Sequence, residues 1–176
     1  MTATALSPVA VRTPEPDEAW VGFGANLGDR WGTIERAVAA FGSDVVAVSP
    51  VYETEPWGIV DQPWFLNGVL RLRWRAEPEA LLARCLEIES ASGRVRSERN
   101  GPRTLDLDVL LVGGQVLNEA SLRVPHPGII RRRSVLEPWA DVAPGLVVPG
   151  LVEPLCTLRN RAASLLGQCV RRVEAL

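Results

Sequence analysis

A short run of alternating residues constrains the fold of this chain more than any other feature. Residues 104–112 read TLDLDVLLV, an apolar stretch interrupted by Asp106 and Asp108. Side chains on a β-strand alternate between its two faces, so both aspartates point one way, about 7 Å apart along the chain. Leu105 and Leu107 then point the other way, into a core. The sequence therefore predicts a half-buried strand that carries two carboxylates on its open face.

An arginine-rich loop comes directly before this strand. It contains four arginines. Three lie between Gly93 and the turn residues Gly101 and Pro102, namely Arg94, Arg96 and Arg99, and Arg103 follows directly after the turn. Seen alone, such a loop usually indicates a solvated surface. Two alternating aspartates, seen alone, usually indicate a polar strand edge. Arginine forks, however, bind phosphate oxygens bidentately, and Mg²⁺ takes one or two carboxylates together with water and phosphate oxygens. The adjacency of the two patterns favours a magnesium–nucleotide site.

Length and composition limit the class of protein. The 176 residues, 47% hydrophobic and 23% charged, predict one soluble globular domain. No apolar run reaches the roughly 18 residues of a membrane helix. Residues 1–18 predict a flexible N-terminal extension that lacks the apolar core of a signal peptide, and residues 19–176 the domain itself. The net charge of −2 argues against broad nucleic-acid binding.

Two residue types narrow the chemistry further. All 19 basic residues are arginines, which excludes a Walker A loop, a Schiff-base enzyme and a lysine phosphate clamp. The three cysteines, Cys85, Cys156 and Cys169, have no CxxC spacing. An odd number of cysteines in a chain without a secretory signal predicts reduced thiols and a cytoplasmic location.

The periodicity of the apolar residues predicts the element order β-α-β-β-α-β-β, followed by further helices. Strands are predicted at 20–23, 45–52, 65–74, 104–112 and near 116, and helices at 30–41, 78–92, 129–139 and 155–166. Two strand–helix–strand units with an antiparallel pair between them are typical of a ferredoxin-like α+β sandwich, here with additional C-terminal helices. Because that fold supports many functions, the function has to be argued from the site.

Four segments give the chain a more specific resemblance. They are GANLGD at 24–29, VSPVYETEPWG and DQPWFLNGV within 48–69, GRVR and RNGPRTLDLDVLL within 93–111, and VPHPG and VLEPWADVAP within 124–144. In these segments the chain resembles the 6-hydroxymethyl-7,8-dihydropterin pyrophosphokinase family of the folate pathway. Members of that family transfer the diphosphate of ATP intact to the hydroxymethyl group of the pterin and release AMP. GxNLGD alone would be a weak signal, whereas GPRTLDLD between GRxR and PHP is highly specific.

The resemblance implies the phosphate side of a site. Asp106 and Asp108 match the ligands of two Mg²⁺ ions that bridge the phosphates of the co-substrate ATP. Arg94 and Arg103 match arginines on those phosphates, so these four residues are the expected catalytic set. The other positions expected to bind ATP are Glu89, Arg96, His126 and Arg132, and Arg94 and Arg96 match a loop that closes over the nucleotide.

The resemblance also implies a pterin side. Asn67 matches an asparagine that hydrogen-bonds the pterin ring, and Phe65 matches an aromatic residue that stacks on it. The two residues are i, i+2 and share a strand face, which suits a flat ring edged with donors and acceptors. Further contacts to the pterin edge are expected from Thr54, Glu55 and Trp57.

The chain departs from the family pattern at three positions. Asn100 stands where the family often has tryptophan, and Leu86 where it often has glutamine near the adenine. Ser134 stands where it often has an aromatic residue on the second face of the pterin. These departures bear on the binding of the ligands and leave the metal chemistry unchanged.

As partners the resemblance implies ATP and 6-hydroxymethyl-7,8-dihydropterin, with no nucleic acid, no membrane and a monomeric protein. A rival interpretation is a non-catalytic nucleotide- or RNA-binding ferredoxin-like module, with the arginines on phosphate and Phe65 stacked on a base. That module does not explain the paired aspartates, which would repel a nucleic-acid backbone unless metal is present. A third interpretation is an inactive paralogue, suggested by Asn100 and Ser134.

Overall fold

The protein contains one six-stranded antiparallel sheet, seen in a computed structural model that describes residues 9–56, 61–93 and 101–175. The strands of this sheet follow the order β5-β1-β4-β3-β8, and β2 also pairs with β4. Their bounds are β1 Glu18–Ala25, β2 Val45–Val48, β3 Pro50–Thr54, β4 Phe65–Arg73, β5 Asp106–Val112 and β8 Val170–Ala175. A separate small hairpin joins β6 Leu117–Asn118 to β7 Arg123–Val124. The order β5-β1-β4-β3, built from two strand–helix–strand units, confirms the ferredoxin-like prediction.

Two helices cover one face of the sheet, α1 Arg30–Phe41 and α2 Pro78–Ala91. The Asp29 carboxylate caps α1 by accepting a hydrogen bond of 3.0 Å from the backbone N–H of Gly32. α2 begins at a proline, whose missing N–H would have no partner in the first turn of a helix. Both helices bury apolar side chains against β1, β4 and β5 in one core. Their bounds lie within one residue of those predicted.

The other face is covered by α3 Arg133–Val142 and α4 Leu155–Leu165, which enclose a second core. Its centre is a pair of fully buried tryptophans, Trp20 of β1 and Trp139 of α3, whose ring centroids are 5.6 Å apart. α3 begins later than predicted because Ile129–Arg131 forms a 3-10 turn and the backbone at 132 is extended. None of the helices within the described residues is long and apolar enough to cross a membrane.

The strand predicted at 45–52 is divided into β2 and β3 at Ser49. The N–H of Ser49 donates to the Val69 carbonyl at 2.9 Å, and its hydroxyl accepts the Val69 N–H at 2.8 Å. The next residue, Pro50, has no N–H to donate to the ladder. The side chain of Ser49 therefore carries the pairing with β4 across the break.

Strand β8 was not predicted from the sequence. It pairs antiparallel with β3, with Val170 opposite Thr54, and it extends the sheet beyond the ferredoxin-like order. Its sequence, VRRVEA, lacks a clear alternation of apolar and polar residues. Pairing with the edge of β3, which is a long-range contact, therefore decides its conformation.

The described part of the predicted flexible extension is hydrogen-bonded to the rest of the chain. The backbone of Arg12 donates to the Gly145 carbonyl and accepts from the Val147 N–H, both at 2.9 Å. Its guanidinium binds both carboxylate oxygens of Glu18 at 2.7 Å. Glu18 is the first residue of β1 and is only 2% exposed. The segment before β1 thus supplies a guanidinium to the buried carboxylate of Glu18.

Candidate functional site

One cleft brings together most of the described residues that the sequence predicts to bind ligands. It lies where β1, β3, β4 and β5 meet the start of α3. Its lining includes eight predicted site residues: Thr54, Glu55, Phe65, Asn67, Arg103, Asp106, Asp108 and Arg132. Gly24 lies at the floor of the cleft, where it is paired with both Asp106 and Asn67 in the sheet and has no side chain to fill the space between them. A Cβ atom at Gly24 would lie 2.7 Å from the side-chain oxygen of Asn67, so a larger residue would fill this floor.

The two aspartates stand on one wall of the cleft, on the strand face predicted for them. Asp106 lies opposite Gly24 and Asp108 opposite Gly22 in the register of β5 with β1. Among the described residues, Asp106 accepts from the Arg103 guanidinium at 2.5 Å and Asp108 from the Arg132 guanidinium at 2.8 Å. The two ion pairs are 22–33% exposed. The wall therefore offers opposite charges side by side, which suits a ligand that contains both phosphate and metal.

Arg103 is held in place by a buried asparagine that was not predicted as a site residue. The side-chain oxygen of Asn26 accepts the Arg103 N–H at 2.7 Å, and the Arg103 carbonyl accepts the Asn26 N–H at 3.1 Å. The Asn26 amide also donates to Gln62 and to the Pro63 carbonyl, both at 3.0 Å. Asn26 thus joins the wall that carries Arg103 and the two aspartates to the loop that precedes Phe65. Its position in the GANLGD motif was the available sequence signal.

His126 lies beside Arg132, and its hydrogen bond fixes the tautomer of its ring. The ring Nδ1 accepts the Gly128 N–H at 3.0 Å, so in the neutral form the proton is on Nε2. Burial lowers the pKa of His126 and Arg132 lowers it further, while Asp108 and Asp106 act in the opposite direction. A Cβ atom at Gly128 would meet the His126 ring at 3.0 Å and the Arg132 Nε at 3.2 Å. The glycine therefore allows a neutral N–H donor and a guanidinium to lie close together.

Glu89, predicted at a nucleotide-binding position, lies on α2 and is 4% exposed. Its carboxylate accepts the backbone N–H of Leu107 at 2.7 Å. Leu107 is the residue between the two aspartates on β5, which is an edge strand of the sheet. In the structure Glu89 thus fixes the strand that carries Asp106 and Asp108, and it does not line the described part of the cleft.

The opposite wall carries the aromatic and amide groups expected to bind a pterin. The Asn67 amide donates to the Thr54 hydroxyl at 2.7 Å, which fixes the orientation of its side chain. Phe65 is half-buried beside it. Ser134 and Val135 of α3 also line this part of the cleft.

Trp57, Trp64 and Trp139 are the tryptophans that could supply a ring to the second face of a pterin. Trp139 is fully buried against Trp20, so it cannot supply that ring. Trp64 is 37% exposed and does not line the described part of the cleft. Trp57 lies outside the described residues, as do Arg94, Arg96 and Asn100. The described lining therefore supplies one aromatic ring on this wall, that of Phe65, while Phe23 belongs to the core below.

Gln168 is a cleft residue that the sequence did not reveal. It lies between α4 and β8 and lines the cleft together with Glu55 and Ser134. Its side-chain oxygen accepts the Arg133 N–H at 2.9 Å, and its amide nitrogen donates to the Arg131 carbonyl at 3.1 Å. A glutamine in a short polar connector carries no motif, so no sequence signal was available.

Comparison with known proteins decides the family. The sequence model described as 7,8-dihydro-6-hydroxymethylpterin-pyrophosphokinase matches residues 20–144. The chain belongs to this pyrophosphokinase family. A curated relative from Methylorubrum extorquens, named 2-amino-4-hydroxy-6-hydroxymethyldihydropteridine pyrophosphokinase, is 41% identical over 89% of this chain and 98% of its own length. A relative of the same name from Pseudomonas aeruginosa is 46% identical over 74% of this chain and 83% of its own length.

Structural comparison supports the same fold at much lower sequence similarity. A crystal structure of an HPPK-DHPS protein in complex with substrates superposes with a TM-score of 0.67 at 14% identity. The superposition covers 86% of this chain, and the chain spans 44% of that longer protein. Membership of the pyrophosphokinase family favours the enzyme over the nucleotide- or RNA-binding module.

Proposed function

We propose that the protein transfers the diphosphate of ATP to 6-hydroxymethyl-7,8-dihydropterin, giving the pterin diphosphate and AMP in tetrahydrofolate biosynthesis. The observation that carries this proposal is the pairing of two walls in one cleft. One wall has Asp106 and Asp108 with two arginines, and the other has Phe65 and Asn67. A phosphate-metal site and a flat-ring site side by side are what such a transfer requires.

On the pterin wall, we assign the ring to the face of Phe65 and its polar edge to Asn67. Because the Asn67 amide nitrogen already donates to Thr54, its oxygen is the group that would accept from a pterin N–H. Thr54 and Glu55 border the same region. Trp57, which follows them in the chain, completes the proposed pterin contacts.

On the phosphate wall, Arg103 and Arg132 are the proposed phosphate ligands among the described residues, with Arg94 and Arg96 from the neighbouring loop. Arg103 and Arg132 would exchange the carboxylates of Asp106 and Asp108 for phosphate oxygens when ATP enters. The neutral His126 would donate from Nε2 to a phosphate oxygen, since its Nδ1 is occupied by Gly128. We place Glu89 in the ATP site through its hold on β5.

The carboxylates of Asp106 and Asp108 fit two bound Mg²⁺ ions. Within residues 9–56, 61–93 and 101–175, no three His, Cys, Asp or Glu side chains converge as a closed metal site. Two neighbouring carboxylates suit Mg²⁺, which takes most of its ligands from water and substrate phosphates. When bound, Mg²⁺ would neutralise charge on the phosphate oxygens.

In the proposed reaction the hydroxymethyl oxygen of the pterin attacks the β-phosphorus of ATP. The new oxygen–phosphorus bond forms as the bond from the β-phosphorus to the bridging oxygen of the α-phosphate breaks, the hydroxyl proton passes to solvent, and AMP leaves. Catalysis of this kind is positioning plus stabilisation of charge, with no covalent intermediate on the protein. The chain contributes by holding the pterin and triphosphate in line from opposite walls.

Incubation of the purified protein with ATP, Mg²⁺ and 6-hydroxymethyl-7,8-dihydropterin tests the proposal. We expect AMP and the pterin diphosphate in equal amounts, measured by liquid chromatography, and intact ATP when the pterin is omitted. Formation of ADP in place of AMP would overturn the diphosphate transfer and leave a magnesium–nucleotide site. The monomeric state, the cytoplasmic location and the domain limits 19–176 stay predictions from the sequence.

A further inference from the structure

The connector between α4 and β8, residues 166–169, borders the cleft although it lies beyond the family match at 20–144. Its contribution to the lining is Gln168. The connector also touches the pterin wall, because the Cys169 carbonyl accepts the Glu55 N–H at 3.3 Å. It therefore spans from the end of β3 to the start of α3, where Arg132 is located.

The side-chain amide of Gln168 binds the backbone on both sides of Arg132. Its nitrogen donates to the carbonyl of Arg131 at 3.1 Å, and its oxygen accepts the N–H of Arg133 at 2.9 Å. A primary amide has a donor and an acceptor in one rigid plane, so the two bonds fix residues 131 and 133 relative to each other. The position of Arg132 between them follows from that constraint.

One of these bonds also satisfies a backbone N–H in the first turn of α3, that of Arg133. Backbone N–H groups at the start of a helix have no partner within the helix. Arg132, the N-cap residue of α3, does not cap the helix with its own side chain, which binds Asp108 in the described structure. Gln168 provides the missing acceptor from a distant part of the chain. The Arg132 guanidinium has no acceptor atom to offer that N–H group, and it is directed to the cleft, where it binds Asp108.

A side chain of α3 also binds the backbone of the connector. The Arg133 guanidinium donates to the Gln168 carbonyl at 2.7 Å, and it is oriented by Glu137 at 2.6 Å. The adjacent Val170 is paired with Thr54 in the sheet. Three hydrogen bonds therefore join Gln168 to Arg131 and Arg133, and strand pairing holds the other end of the connector.

We propose that Gln168 is a positioning residue that holds Arg132 against the transferred diphosphate. The inference rests on the proposed function, in which Arg132 binds phosphate. Both ends of the Gln168 amide are engaged by backbone groups on either side of Arg132, so the residue acts through Arg132 and not on the pterin. Small displacements of a group that binds the reacting phosphates are costly, since about 1 Å can reduce a rate a hundredfold.

A double-mutant cycle tests this assignment. We expect Gln168→Leu to lower kcat roughly tenfold, by displacing Arg132 part of that distance, and to leave the KM for the pterin within about twofold. In an Arg132→Ala background the same change should cost less than about twofold, because the residue through which it acts is gone. Gln115→Leu, at an exposed glutamine of a turn outside the cleft lining, is the matched control and should behave as wild type. Equal losses in both backgrounds would overturn the proposal, since a general structural role gives additive effects.

A second variant and a binding readout keep the test decisive. If Gln168→Leu does not fold, Gln168→Glu replaces it, because the carboxylate keeps the acceptor for the Arg133 N–H and loses the donor to Arg131. The cycle is also measured as the affinity for a non-hydrolysable ATP analogue with Mg²⁺, by calorimetry. A wild-type protein that makes no AMP would refute the proposed function, while non-additive binding losses would still support the positioning of Arg132. Additive binding losses would refute the positioning role alone.

Discussion

At the scale of single residues, Asp108 is the carboxylate on which the proposed chemistry depends most. It is 33% exposed and bound to Arg132, so its removal should leave the cores intact. We expect Asp108→Ala to lower turnover roughly a thousandfold or more, because loss of a metal ligand removes several kcal/mol of transition-state stabilisation. Asp44→Ala, at an exposed position of a 3-10 turn, is the control. Near-normal turnover of the Asp108 variant at saturating Mg²⁺ would show that the metal assignment is wrong.

Ser134 is the residue where an aromatic ring should improve the site. It lines the cleft with Phe65, and the buried Trp139 cannot take the position of a second ring. An aromatic pair is worth about 0.5–1.5 kcal/mol beyond its buried area, so Ser134→Phe should tighten pterin binding roughly two- to tenfold. Calorimetric titration with a non-hydrolysable ATP analogue present measures this, and ATP affinity should change little. Unchanged or weaker pterin affinity would mean that another ring, such as Trp57, already occupies that face.

His126 should give the protein a pH-dependent stability in a defined range. Its pKa in the folded protein is lower than the usual 6.5, chiefly because it is buried. At pH values between the lowered pKa of folded His126 and about 6.5, the unfolded chain binds more protons than the folded protein. The free energy of unfolding therefore falls as the pH drops from about 7 to below 6.5. Urea unfolding at pH 7.0 and 5.5 should show a smaller fall for His126→Asn, whose side-chain oxygen can still accept from Gly128. An equal fall in both proteins would contradict the assignment.

At the scale of elements, the segment before β1, residues 12–17, should stabilise the fold; we call this segment the strap. Burial raises the pKa of Glu18, but the Arg12 guanidinium and the Glu15 N–H outweigh it and hold the pKa below its ordinary value. We expect Arg12→Ala to lower the free energy of unfolding by about 2 kcal/mol. This is less than the loss expected for a buried carboxylate left without any partner, because the Arg71 Nε remains 3.1 Å from the Glu18 carboxylate. Arg75→Ala removes an exposed pair with Asp17 and should cost less than about 0.5 kcal/mol. Equal losses in urea unfolding would show that the strap contributes little.

The elements that sequence predicted well are those with strong local signals. α1 has a capping aspartate and a terminal glycine, α2 has an N-terminal proline, and β5 has strict alternation ahead of its last residues. β8 and the break at Ser49 depend on bonds to residues distant in sequence, namely the edge of β3 and the backbone of Val69. Such pairings leave no periodic pattern.

The same distinction holds within the site. Residues that present a charge or ring to the cleft, such as Asp106, Arg103 and Phe65, stand in recognisable motifs and were predicted. Asn26 and Gln168 were missed because they act on backbone groups far away in sequence, and an amide that binds a backbone has no chemical signature of its own. Residues that position others are therefore the part of a site that the structure adds.

At the scale of the whole molecule, the proposed site predicts a stability that depends on metal and nucleotide together. The two aspartates on the cleft wall would repel a triphosphate, and Mg²⁺ would relieve this repulsion. ATP with Mg²⁺ at about 100 times the dissociation constant should add about 2.7 kcal/mol to the free energy of unfolding. For a chain of this length that corresponds to a rise in Tm of roughly 5–10 °C.

Thermal unfolding with ATP alone, Mg²⁺ alone and both together measures this coupling. ATP with a chelator should raise Tm by less than about 2 °C, well below the rise with metal. A module that only binds nucleotides through its arginines would be stabilised equally in both conditions, and that outcome would refute the two-carboxylate site. In Asp108→Ala the benefit of Mg²⁺ should shrink, because one carboxylate that repels the phosphates and holds the metal is gone. A smaller Mg²⁺-dependent rise in Tm in Asp108→Ala than in the wild-type protein would therefore locate the metal dependence on β5. This result does not depend on the turnover of the enzyme.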